Sequence, residues 1–161
     1  MSRARIARPN EPRTRLAAPI DYRALAEFRH QLRRYSTFTE HVARAAGIEP
    51  QQHQLLIALK GLPSEERPVV GALAERLQLK HHTVVGLLDR MVSHGWIRRR
   101  KSVVDRREII VELTASCERL LSRLGESHHA ELESVGPALV RVLDGIVPPS
   151  RRATAPTRRR T

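Results

Sequence analysis

The sequence predicts a mainly α-helical protein that carries one small β-hairpin. Apolar residues recur every three or four positions over most of residues 21–147, which is the period of one face of a helix. The segment around residue 110 breaks this pattern, because Ile109, Val111 and Leu113 alternate with other residues as they do in a strand. A chain of 161 residues suits one domain with appended helices.

The first periodic stretch runs from Asp21 to Ala46, and Gly47 follows it as a residue that commonly ends a helix. Such a helix would be about 39 Å long at 1.5 Å per residue. The core of so small a domain does not require that length, so we expect this helix to pack against a partner. Its apolar positions are Leu25, Phe28, Leu32, Tyr35, Phe38, Val42 and Ala45.

Three shorter helices are predicted next. Pro50 fits the first turn of a second helix, which Gly61–Pro63 ends. A short third helix follows over residues 70–77, and Gln78 to Lys80 form a turn before a fourth helix over residues 81–94. The predicted buried positions are Leu55, Leu56, Leu59, Ala72, Leu73, Leu77, Val84, Leu87, Leu88, Met91 and Val92.

The fourth helix is predicted to end at Gly95, after which a strand begins at Trp96. On the returning strand Ile109, Val111 and Leu113 are expected to face the helices, while the tip between residues 101 and 107 projects. Two short helices, a tight turn and a basic hairpin together form a winged helix-turn-helix over about residues 50–113.

Two more helices are predicted after the hairpin. Thr114 is a good N-cap for a fifth helix that carries Leu120, Leu121 and Leu124. Pro137 is expected to start a sixth helix with Leu139, Val140 and Leu143.

The net charge of +12 is unevenly distributed, because residues 1–20 and 148–161 carry +9 of it. Both tails are rich in arginine and proline and poor in large apolar residues, which predicts disorder. They are either solvated tails or arms that bind DNA phosphates without reading sequence. Between them, residues 76–107 hold nine basic side chains against two acidic ones, which points to a polyanionic partner.

Three motifs carry a resemblance to a known family: GALAERLQL at 71–79, LLDRM at 87–91 and DRREIIVELT at 105–114. With these motifs the chain resembles the MarR family of bacterial transcriptional regulators over roughly residues 21–145. The resemblance implies a homodimer formed through dimerisation helices at about 21–46 and 115–147. It also implies a cytoplasmic, nucleoid-associated regulator without a cofactor, commonly a repressor that a small molecule releases.

The exposed face of the fourth helix is predicted to enter the major groove, where base edges display a full set of donors and acceptors. The family more often has Ser or Arg where this chain has Lys80-His81-His82, so the base preference stays open. The two histidines could instead lie on an exposed face without base contacts, or form a metal pair. The predicted DNA-binding residues are Lys80, His81, His82, Thr83, Val85, Gly86, Arg90, Arg106 and Arg107.

At the hairpin tip, Arg106 and Arg107 are candidates for insertion into a narrow minor groove. Asp89 and Asp105 are acids among these basic residues, and we expect both to position the wing. One of the two tip arginines should reach DNA, while Asp89 engages the other. Val103 departs from the more polar tip of the family.

An effector site is implied by the resemblance, since family ligands are often phenolic or other aromatic anions held between the dimerisation helices and the DNA-binding part. Possible pocket residues, although such side chains are more often ordinary surface or packing residues, are His30, Arg33, Arg34, Tyr35, His41 and His53. Glu40-His41 together with His128, His129 and Glu131 keeps a metal-sensing regulator of the same fold as an alternative. Cys117, with Glu118 beside it, is expected to be a packed thiol.

Other functional classes find little support in the sequence. It contains no Gly-rich phosphate loop, no G-x-S-x-G and no H-E-x-x-H motif, so we predict no enzymatic activity. No window is long and apolar enough to span a membrane. A non-specific nucleic-acid-packaging protein would account for the tails, but it would not need a recognition helix with a wing.

Overall fold

The computed structural model describes residues 21–103, 105 and 107–147, so both predicted tails lie outside the described residues. Within this part of the chain, five helices surround a two-stranded antiparallel hairpin. The elements, in chain order, are α1 (Tyr22–Ala45), α2 (Pro50–Lys60), α3 (Val70–Leu77), α4 (His81–Ser93), β1 (Ile97–Lys101), β2 (Ile109–Leu113) and α5 (Ala115–Ile146).

The two long helices, α1 and α5, pack against each other in antiparallel directions. Arg34 of α1 lies 3.7 Å from the Glu131 carboxylate of α5, and Phe38, one turn later in α1, contacts His128, one turn earlier in α5. The Asp21 side chain caps α1 by accepting a hydrogen bond from the Ala24 amide at 3.0 Å. The partner expected for the long first helix is therefore α5.

The prediction of a sixth helix that starts at Pro137 is wrong, because α5 continues through this proline to Ile146. Proline lacks the amide that would bond to the carbonyl four residues earlier, so it weakens a helix locally. Packing on α1 outweighs this loss here: Val135 is fully buried just before the proline, and Leu139 and Leu143 are half-buried after it. The predicted N-cap is confirmed, since Thr114 Oγ1 accepts a hydrogen bond from the Cys117 amide.

The hydrophobic core lies where α2, α3 and α4 meet the hairpin and the first half of α5. Four of the five positions predicted to be buried on α4 are buried, namely Val84, Leu87, Leu88 and Met91. The fifth, Val92, is exposed. The other core residues include Ile48, Leu55, Leu56, Leu59, Leu73, Ile97, Val111, Cys117, Leu121 and Leu124.

The hairpin packs on both of its faces, which the simple alternation did not predict. Its register pairs Ile97 with Leu113 and Lys101 with Ile109. Val111 faces the helices as expected, but Ile110, on the opposite face, is also buried. Its backbone forms a bridge with Val69 at the edge of β2 that β1 does not occupy. Ile109 is exposed, so its assignment to the packed face is wrong.

The turn between α3 and α4 depends on one left-handed residue. Gln78 has φ of 53°, and the Leu79 amide then donates to the Ala74 carbonyl at 3.0 Å, which ends α3. Gly95 ends the next helix in the same left-handed region, with φ of 69°. Over the described residues, none of the helices combines the length and apolar character needed to cross a bilayer.

Candidate nucleic-acid interface

The solvent face of α4 carries the residues that the sequence analysis assigned to the major groove. His81, His82 and Arg90 are exposed, as is Lys80, whose extended backbone makes it the N-cap of the helix. Thr83, Val85 and Gly86 are partly exposed on the same side. The positive end of the helix dipole lies at the two histidines and favours an anion there. Because Thr83, Val85 and Gly86 are small, the middle of this surface can approach a groove closely.

Asp89 joins α4 to the hairpin, but not through the arginine that was predicted. Its Oδ1 atom lies 2.6 Å from Nη1 of Arg99 on β1, and Nη2 of Arg99 also donates to the Val85 carbonyl at 3.4 Å. The expected partner Arg107 is therefore corrected to Arg99, whereas Arg106 lies outside the described residues. Side chains alternate along a strand, so Arg99 points towards α4 while its two neighbours point away.

Those neighbours, Arg98 and Arg100, share one acid on the opposite strand. Arg98 Nε donates to Glu112 Oε2 at 2.8 Å, and Arg100 donates to the other carboxylate oxygen. The hydrogen bonds from Arg100 and then Arg98 hold the pKa of Glu112 below its usual value. The Glu112 carboxylate thus fixes the positions of both guanidinium groups on the face of the hairpin that points away from α4.

The turn at the hairpin tip is organised by Asp105. Its Oδ1 atom accepts a hydrogen bond from the Arg107 amide at 2.9 Å, and its own amide donates to Ser102 Oγ at 3.3 Å. Asp105 therefore shapes the wing from within the turn. The Arg107 side chain is exposed, Val103 is 90% exposed, and Arg106 lies outside the described residues.

A cavity of about 320 Å³ lies between α1, α2 and α5. Its mostly apolar lining consists of Tyr35, His53, Ile57, Lys60, Gly61, Leu121, Gly125 and His128. Of the predicted pocket residues, the structure brings Tyr35 and His53 to this cavity. His128 and Lys60 also line the cavity, although neither was predicted to do so. Lys60 follows the buried positions of α2 by one residue and gave no local signal of its own.

The other proposed pocket residues lie elsewhere. His30, Arg33 and His41 are exposed on α1, and Arg34 pairs with Glu131. None of them lines the cavity.

The metal-binding donors of the sequence analysis are also separated. His129 lies 3.3 Å from Glu133 on the surface, and Glu40 pairs with Arg44 at 3.2 Å. Among the residues that the structure describes, no three histidine, cysteine or acidic side chains are grouped to hold a metal ion. Cys117 is a packed thiol as expected, since burial, and then Glu118, raise its pKa to about 11.

Comparison with known proteins decides the family. Residues 46–108, which begin just after α1 and span α2 to β1 and the wing turn, match the model of the MarR family. The winged-helix part of this chain belongs to the MarR family. Its matched segment ends just before β2, so the long helix α5 lies outside it.

Several MarR-type proteins are similar to this chain. The HTH-type transcriptional repressor YetL of Bacillus subtilis is 27% identical over 60% of this chain. The chain spans only 40% and 57% of the length of the two curated relatives that it matches. AbsC of Streptomyces coelicolor, a MarR family regulator, superposes with a TM-score of 0.65 at 18% identity, over 87% of this chain and 97% of its own.

A variant of MepR from S. aureus, solved bound to an oligodeoxyribonucleotide, superposes with a TM-score of 0.54 at 21% identity. The match covers 76% of this chain and 83% of that protein. At these identities the two solved structures establish the fold, which extends the MarR architecture to both long helices.

Proposed function

We propose that this protein is a homodimeric transcriptional regulator that binds double-stranded DNA by sequence, as a repressor that a small molecule releases. The observation that carries the proposal is the Asp89–Arg99 pair, which joins an exposed, groove-sized helix face to a basic hairpin. A protein that only packages nucleic acid has no need to fix the angle between these two elements.

In the proposed complex, α4 enters the major groove with His81 and His82 foremost. Either imidazole can donate to or accept from a base edge, depending on its tautomer. The wing turn follows the backbone into the adjacent minor groove and brings Arg107 to it. The similarity to a MepR structure that contains an oligodeoxyribonucleotide supports this mode of binding.

The proposed dimer uses the apolar positions that α1 and α5 leave uncovered in one chain. Tyr22 is 72% exposed and Val140 is 53% exposed, although both lie on helices with strong apolar periodicity. Leu25, Leu32 and Leu132 are each about two-fifths exposed on the same pair of helices. A second copy of the chain would cover them and place two α4 helices on one duplex.

The proposed effector is an aromatic anion that occupies the cavity between α1, α2 and α5. The apolar lining suits a ring. Lys60 also lines the cavity, and its ammonium, which pairs with Glu118 at 2.8 Å, would have to exchange that partner for a carboxylate or phenolate of the ligand. The cavity separates the DNA-binding part from the two long helices, so a ligand in it can change their relative position.

Selection of duplexes from a random pool, followed by gel shift and light scattering, tests this function. We expect one enriched motif with two related half-sites about one helical turn apart and a dimeric protein. Equal affinity for every duplex would instead identify a non-specific packaging protein. A thermal-shift series with hydroxybenzoates then tests the cavity, and Lys60→Met should remove the shift.

A further inference from the structure

The hairpin is attached to the loop between α2 and α3 as well as to α4. The Val111 amide donates to the Pro68 carbonyl at 2.9 Å, and Val69 bridges to Ile110. These backbone contacts hold the middle of β2. These contacts do not extend to the turn between the two strands, which is the part of the wing proposed to meet DNA.

Arg67, the residue just before these contacts, reaches that turn. Its Nη2 atom donates to Ser102 Oγ at 2.7 Å, and its guanidinium forms an ion pair with Glu108. Ser102 is the last residue before the tip and Glu108 the first after it, so one guanidinium holds both ends of the turn together. Ser102 is only 5% exposed, although its neighbours on either side are exposed.

The contacts of Arg67 continue into the tip. Ser102 Oγ also accepts a hydrogen bond from the Asp105 amide, and the Ser102 amide donates to the Glu108 carbonyl at 3.0 Å. The Glu108 amide donates in turn to the Asp105 carbonyl at 3.0 Å. The conformation of the turn therefore depends on a hydroxyl group whose position Arg67 holds.

We propose that Arg67 is a wing-positioning residue, which clamps Ser102 and Glu108 so that the tip is presented to the minor groove in a single conformation. The proposal rests on the proposed DNA-binding function. Asp89 fixes the hairpin only at Arg99, three residues before Ser102. A two-stranded hairpin is marginally stable by itself, and a turn that must be ordered on binding costs affinity.

The direction in which one substitution changes DNA affinity distinguishes this clamp from a simple effect of charge. Glu108→Gln removes a negative charge close to the proposed DNA surface, so electrostatics alone predicts tighter binding. Loss of the clamp predicts weaker binding, by about tenfold, because the turn must then be ordered by DNA. Glu66→Gln is the matched control: Glu66 lies in one surface cleft with Arg67 and Glu108, but its carboxylate pairs with Arg76 at 3.8 Å.

Ser102→Ala tests the same clamp without any change of charge and should also weaken binding. Circular dichroism and size-exclusion chromatography of each variant check that the fold is retained. Dimethyl sulfate footprinting on a duplex selected by the wild-type protein then reports both grooves at once. It methylates guanine N7 in the major groove and adenine N3 in the minor groove.

With Glu108→Gln and Ser102→Ala, protection of adenine N3 should be lost while protection of guanine N7 persists. Tighter binding by both Glu108→Gln and Glu66→Gln would overturn the clamp. A wild-type footprint without protection of adenine N3 would also overturn it. So would an equal loss of protection in both grooves with Glu108→Gln and Ser102→Ala. Failure of the wild-type protein to bind any selected duplex would count instead against the proposed function.

Discussion

His53 on α2 and His128 on α5 face each other through their Nε2 atoms, which lie 3.1 Å apart. Both side chains are buried, and the edges of Tyr35 and Phe38 from α1 surround the His128 ring. One neutral imidazole must donate to the other, since two protonated rings would bring two N–H groups together. This hydrogen bond connects the winged-helix part of the chain to the long helix α5.

The His53–His128 pair should make stability depend on pH. Burial, and then the neighbouring His128, lower the pKa of His53 from 6.5 to about 4, and burial lowers that of His128 as well. Between pH 6.5 and pH 4 the histidines of the unfolded chain bind more protons than those of the folded one. The contribution of this pair to the free energy of unfolding is therefore constant above about pH 7 and falls towards pH 4. We expect a loss of about 1–2 kcal/mol between pH 7 and pH 5 from His53.

Urea unfolding at several pH values measures this loss. His53→Gln retains hydrogen-bonding capacity but cannot titrate, so its stability should depend less steeply on pH, even if it is lower at pH 7. Replacement of the exposed His30 by Gln is the control. A wild-type protein as stable at pH 5 as at pH 7 would contradict the prediction.

The Asp89–Arg99 pair should matter more for DNA binding than for stability. Both side chains are partly exposed, and such pairs contribute about 0–1 kcal/mol to folding. Arg99→Gln leaves an unpaired carboxylate on α4, the helix proposed to face DNA, and should weaken binding by more than tenfold, as a repulsive charge costs several kcal/mol at such a surface.

Asp89→Asn removes that carboxylate together with the pair, so its binding defect should be smaller. Gel shifts of the two single variants and the double variant measure the coupling. If the double variant is as weak as the product of the two single effects, the two side chains do not act as a pair.

The arginines of the wing tip should determine part of the salt dependence of binding. Arg106→Ala and Arg107→Ala should each weaken operator binding while the dimer stays intact. Each lost phosphate contact lowers the slope of log affinity against log salt by roughly 0.9. Gel shifts at four salt concentrations, with size-exclusion chromatography, provide the measurement. Arg33→Ala, an equal change of charge on α1, should leave the slope unchanged, and unaltered binding by both tip variants would remove the wing from the mechanism.

Local sequence patterns predicted the bounds and buried positions of α4 well. They failed where contacts between residues distant in sequence determine the structure. The buried stripe of α4 follows from its periodicity, since helix geometry alone places Val84, Leu88 and Met91 on one side. Pro137 misled because packing on α1 outweighs its local preference. Asp89 was paired with the wing tip, whereas the alternation of β1 directs Arg99 to it.

The lining of the cavity between α1, α2 and α5 could be predicted only in part, for a different reason. His53 and His128 are separated by 75 positions, and no periodic signal relates them. Their contact depends on how α5 packs across α1 and α2. His53 was named as a possible pocket residue, but its partner His128 could be found only from the tertiary structure.

The apolar positions that α1 and α5 expose should hold the dimer together. Leu25→Glu and Val140→Glu each place a charge where the second copy is proposed to pack, and the cost of burying it unpaired should separate the subunits. Val92→Glu is the matched control, because Val92 is as exposed as Leu25 but lies on α4. Light scattering should give the monomer mass for the first two variants and the dimer mass for the control. DNA affinity should fall together with the dimer, since one α4 helix reads only one half-site. A dimer that survives both substitutions on α1 and α5 would place the interface elsewhere.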